Sequence, residues 1–144
     1  MDETEFREMF KNQIPLKCAF YKLILSSRGE CKHTRKANLA ERDAVGCMNT
    51  LGHDKCVHFT QQMSEFAKFA LKKTDDAPLT HAQLLKVQQG SLEGIRAESG
   101  LSETDILELI VAAEDKYGKI ENMPFEQIAR AITQVKIRNR KHSK

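Results

Sequence analysis

Along the chain, apolar residues recur mostly at the three-to-four spacing of amphipathic helices rather than at the alternation of strands. Residues 3–12 place Phe6, Met9 and Phe10 on one face. Pro15 suits the first turn of a second helix, LKCAFYKLILSS, which is apolar nearly all round and stops at Gly29. Residues 33–44 predict a polar helix with Ala37, Ala40 and Ala44 on one stripe and Gly46 at its end. From about Asp54 to Lys73, Phe59, Met63, Phe66 and Ala70 repeat at helical offsets. Thr80 and Gln83 form a capping-box pattern opening a helix through Leu84, Leu85, Val87 and Leu92. Ser102–Asp105 offers a cap for Ile106, Leu109, Ile110 and Ala113, with Gly118 as the stop. A last helix starts at Asn122-Met-Pro-Phe and carries Phe125, Ile128, Ala129 and Ile132. Gly90 and Gly94 sit four apart inside a helix. They cost about 1 kcal/mol each relative to Ala, and they allow another backbone to come close.

The expectation is an all-α protein: a single compact bundle of six or seven short to medium helices. TDDAP (74–78) is the best internal boundary. It separates a cysteine-containing half (1–73) from a cysteine-free helical half (79–137), followed by a basic tail (138–144), all within one domain. With 144 residues, 40% hydrophobic and 30% charged, the composition is that of a soluble globular chain able to bury a core. The acidic start lacks the features of a secretory signal, and no apolar run reaches membrane-spanning length. The expected location is therefore cytoplasmic, where thiols stay reduced or bind metal.

Charge is uneven. Residues 73–135 hold six basic and eleven acidic side chains, whereas the last nine residues, KIRNRKHSK, hold five basic and no acidic ones. Lys136, Arg138, Arg140, Lys141 and Lys144 could meet nucleic-acid phosphates or an acidic protein partner. No aromatic residue stands among them to stack on bases. FEQIARAIT resembles the first helix of a helix-turn-helix, but no recognition helix follows.

All four cysteines, Cys18, Cys31, Cys47 and Cys56, fall in the first 56 residues, spaced C-x12-C-x15-C-x8-C. No C-x2-C pair is present, which disfavours zinc knuckles and common ferredoxin sites. What remains is a cluster held by widely spaced cysteines on a helical frame. His33, His53 and His58 lie close by in sequence as outer-shell groups or alternative ligands, and Cys47, His53 and Cys56 could seed a zinc site. Lys32 and Arg35 would add positive charge near thiolates. Cys18 and Cys56 fit a packed core equally well, whereas Cys31 and Cys47 lie beside glycines among charged residues. A straight helix over 33–44 would be about 18 Å long and would hold Cys31 and Cys47 apart. A shared metal site therefore requires a short or bent element there.

No phosphate-binding glycine loop, G-x-S-x-G or H-E-x-x-H motif occurs, and no characterised family is resembled closely. The leading expectation is a small iron–sulfur protein, a 4Fe–4S cluster on Cys18, Cys31, Cys47 and Cys56. It would have no catalytic apparatus of its own beyond any chemistry at the cluster. It would serve electron transfer or redox or oxygen sensing towards a protein partner, met through the Gly90/Gly94 helix or the acidic 98–121 surface. The alternatives are a zinc site, a metal-free helical adaptor with structural cysteines, and a nucleic-acid binder using the tail.

Overall fold

A computed structural model describes residues 16–39 and 42–136. Helix α1 spans Tyr21–Leu25, strands β1 and β2 span Thr34–Leu39 and Arg42–Cys47, and helix α2 spans Thr50–Ala70. Helices α3, α4 and α5 follow as His81–Ser99, Ile106–Tyr117 and Phe125–Gln134, with a single 3-10 turn at Ile120–Asn122. The protein is mostly helical, but it is not purely α. The described residues contain five α-helices and one antiparallel hairpin. The expected helix over 3–12 and all of the basic tail except Lys136 lie outside the described residues. Within them, no helix is long and apolar enough to cross a membrane.

Two of the predicted helix starts are capped as their sequences require, and a third lies earlier than expected. Asn49 accepts from the Gly52 N–H at 2.8 Å, so α2 begins a turn earlier than its apolar stripe. Thr80 and Gln83 complete a reciprocal capping box at α3. Asp105 accepts from the Glu108 N–H at 3.1 Å to open α4. Gly100 and Gly118 follow α3 and α4 with φ of 76° and 89°, a conformation that favours glycine. The buried surfaces of α2, α3, α4 and α5 meet in one core. A row of rings runs from it to the surface: Phe20 to Phe59 at 6.4 Å, Phe59 to Phe125 at 6.0 Å, and Phe125 to the exposed Phe66 at 5.8 Å between centroids.

The glycine pair has a structural role. A Cβ on Gly94 would lie 2.3 Å from the Ile128 carbonyl oxygen, and one on Gly90 would lie 2.5 Å from the Ile132 Cα. Helix α5 thus rests on the backbone of α3, and this face is covered from within the chain rather than offered to a partner. Gln88, buried in α3, joins the two halves. Its Oε1 accepts from the Leu23 N–H at 3.1 Å and its Nε2 donates to the Ala19 carbonyl at 3.3 Å. It thereby satisfies the otherwise unpaired start of α1.

Two predicted helices are different in fact. In place of one helix over 33–44, the strands 34–39 and 42–47 pair antiparallel, with Thr34 opposite Cys47 and Leu39 opposite Arg42. Residues 16–18 run alongside β2, and a turn at 18–21 leads into α1, where a helix was expected. Lys17 bridges to Gly46, the Cys18 N–H donates to the Val45 carbonyl at 3.0 Å, and the Cys47 N–H donates to the Leu16 carbonyl at 2.8 Å. Strand β2 is therefore paired on both sides, by β1 and by residues 16–18. This tertiary pairing, together with burial of Ala44 and Val45, outweighs the weak helical stripe of three alanines.

Candidate metal centre

The hairpin decides the fate of the four thiols. A helix would carry Cys47 away from Cys31, but the chain instead turns back and sets Thr34 beside Cys47. Thr34 is itself tied to Cys31, its N–H and Oγ1 donating to the Cys31 carbonyl at 3.2 and 2.7 Å. Cys18 arrives on the extended segment along the other side of β2. Cys56 projects from the second turn of α2. All four side chains line one small void of about 20 Å³, together with His53, Gly52, Ile106 and Leu107. The four thiols are free, Cys18 buried and the other three half-buried.

Helix α4 holds the Cys31 segment. The Ile106 N–H donates to the Glu30 carbonyl at 2.9 Å, and the Lys32 N–H donates to Asp105 Oδ1 at 2.7 Å. These bonds aim the Leu107 N–H, in the first turn of α4, at the Cys31 sulfur, and the His33 N–H joins it there. Burial raises the Cys31 thiol above its ordinary value, and these two amides oppose the rise. Two amide donors on one sulfur favour a negatively charged sulfur. Burial pushes Cys18 up to about 11, opposed by the Phe20 N–H, 3.4 Å from its Sγ. Cys56 is pushed up to about 12, again by burial first, with Cys18, Cys31 and Cys47 each adding to the rise. Without a cation, Cys18 and Cys56 are neutral at pH 7. The Cys47 thiol donates to the Asn49 carbonyl at 3.3 Å.

His53 stands in the wall of the void, and its Nε2 lies 2.9 Å from the Lys17 carbonyl. A carbonyl only accepts, so Nε2 carries the proton and the ring pins the backbone next to Cys18. His33 contributes through its main chain, its carbonyl accepting from the Met48 N–H at 2.8 Å. His58 points away from the void, 3.4 Å from Glu121. Lys32 is ion-paired with Glu108 of α4 and also interacts electrostatically with Cys31. Arg35 is exposed on β1, opposite Gly46. The acidic 98–121 surface is partly engaged within the chain, because Glu108, Glu114 and Glu121 meet Lys32, Lys55 and His58. Lys136 is exposed at the end of the described chain.

Asp105 and Leu107 are the contributors that sequence reasoning missed. Asp105 is legible as a helix cap, but its second bond, to the Cys31 loop, depends on tertiary placement. Gly52 is a further one: a Cβ there would lie 2.4 Å from Leu107 Cδ2, so its absence lets Leu107 close over the thiols.

The donor set fits a soft metal centre: four sulfurs from four separate segments, no carboxylate in the wall, and backbone N–H groups on two of the sulfurs. Among the described residues, no three His, Cys, Asp or Glu side chains are set as a ready-made ligand group for a single ion. Searches against protein families, characterised proteins and solved structures find no match to this chain.

Proposed function

We propose that this protein binds an iron–sulfur cluster through Cys18, Cys31, Cys47 and Cys56 and serves electron transfer or redox sensing towards a protein partner. The observation that carries the reading is the meeting of four cysteines, up to 38 positions apart in the chain, at one void. When bound, the cluster supplies reversible one-electron chemistry. The chain's own residues do the rest. Four thiols lose their protons to become ligands. The N–H groups of Phe20, His33 and Leu107 stabilise charge on sulfur. Ile106, Leu107 and Phe20 add apolar wall to the site. Met48 and Leu51 are 67% and 75% exposed beside Cys47, an apolar edge at which a partner could come close to the centre. A cytoplasmic setting, with its reduced thiols, belongs to the same reading.

A void of about 20 Å³ is the size of one ion or one water. Admitting a cluster requires the void to widen. The same dimension supports a second reading, one zinc held by the four thiolates.

Anaerobic purification separates the two. The cluster reading expects a brown protein with absorption near about 400 nm, iron and acid-labile sulfide in equal amounts, and loss of both in Cys31→Ser and Cys56→Ser. A colourless protein carrying one zinc per chain replaces it with the zinc reading. A colourless, metal-free protein with four titratable thiols after aerobic and anaerobic preparation alike removes both.

A further inference from the structure

On the opposite side of Ile106 from the cysteines lies a larger cleft of about 760 Å³. Its walls are the loop after α1, strand β1, helix α3 and the loop between α3 and α4. The volume lies in the range of small-molecule sites. Its lining is predominantly polar in character, with Arg28, Lys36 and Arg96 contributed by three different elements.

These three cations are not neutralised. Among the described residues, none of them is ion-paired with a carboxylate. Arg28 donates from Nη1 to the neutral Gln89 Oε1 at 2.9 Å, and Gln89 in turn donates from Nε2 to Glu93 Oε1 at 3.1 Å. The relay orients the Arg28 fork while keeping the carboxylate one side chain away. Arg96 donates from Nε to the Glu103 carbonyl at 3.1 Å, which fixes its stem and leaves both Nη groups available. A planar guanidinium held by neutral acceptors, with donors to spare, suits bidentate recognition of a carboxylate or phosphate. Ser102 and Thr104 add hydroxyls on the same rim. The acids of the cleft, Glu30 and Glu93, number two against three cations, so the site retains net positive charge.

From this we infer a ligand site for a small organic anion, a polar molecule bearing carboxylate or phosphate groups held by Arg28, Arg96 and Lys36. The site is separate from the thiol centre but adjoins it. Ile106 lines both cavities, and its N–H holds the Glu30 carbonyl immediately before Cys31. An occupant would therefore bear on the segment that carries one of the four sulfurs.

The test is calorimetric titration of the full chain with citrate and, separately, with inorganic pyrophosphate, at constant ionic strength in sodium chloride. The expected result is one saturable site for at least one of the two. The stronger probe identifies the ligand as polycarboxylate or phosphate in kind. Arg28→Gln and Arg96→Gln should each weaken binding about tenfold or more, with unchanged circular dichroism and melting. Lys119→Gln, which removes the same charge outside the cleft, should bind as the parent does. The inference is overturned by any of three results: no saturable binding of either probe, unchanged affinity in both arginine variants, or equal weakening by Lys119→Gln.

Discussion

The metal-free protein should lose stability as pH rises from 8 to 10, and two thiols should account for much of the loss. Cys18 and Cys56 are held by burial at about 11 and about 12, against 9.0 for an unperturbed thiol. Between pH 9 and these values the unfolded chain releases protons that the folded chain retains. The folded state then binds more protons, and unfolding becomes easier as pH rises. At pH 10 a thiol with a pKa of 9.0 is roughly nine-tenths ionised, whereas the two buried thiols remain at least nine-tenths neutral. Each therefore costs about 1.3 kcal/mol between pH 8 and 10, or about 2.5 kcal/mol for the pair. Guanidinium unfolding of chelator-treated, reduced protein at pH 8, 9 and 10 measures the loss. The Cys18→Ala/Cys56→Ala variant provides the control for lysines and tyrosines that titrate in the same range. It starts less stable at pH 8 because of its cavities, but its further loss by pH 10 should be smaller by about 2.5 kcal/mol. Equal losses in the two proteins would refute the burial of these thiols. Metal-loaded protein, whose sulfurs have already lost their protons, should lack this component.

Other outcomes follow from the packing. Gly94→Ala should gain about 1 kcal/mol of helix propensity, yet lower stability by roughly 2 kcal/mol net, because the new Cβ meets the Ile128 backbone; denaturant midpoints would show it. Asp105→Ala removes the α4 cap and the bond to the Lys32 N–H. Stability should fall by about 1–2 kcal/mol, and the affinity of the four-cysteine site for metal, followed by chelator competition, should drop about tenfold. Gln88→Leu leaves the Leu23 N–H and the Ala19 carbonyl without partners and should cost about 2 kcal/mol, measured by thermal unfolding. His53→Ala removes the ring's bond to the Lys17 carbonyl. It should speed alkylation of Cys18 with little change in overall melting, whereas an unchanged rate would show that the ring does not hold that backbone.

Local chemistry alone determined much of the helical frame. The capping box at Thr80, the Asp105 cap, the stop at Gly118 and the stripe through Phe59 and Met63 act within a turn or two of themselves, so they are readable from neighbouring residues. That Gly90 and Gly94 allow a close backbone approach was legible, but the sequence pointed that face to a partner, whereas α5 of the same chain covers it. Residues 33–47 were decided elsewhere. Their alanine spacing suits a helix, and only the pairing of β2 with both β1 and residues 16–18 makes them a hairpin. The bridge from Lys17 to Gly46 joins positions far apart in the chain, and such contacts leave no periodic trace in a sequence. The convergence of Cys31 and Cys47 depends on it, as does the clasp of Asp105 on the cysteine loop. The thiol types were visible from composition, but the void they line together exists only because backbone pairing across β2 outweighed a weak local preference.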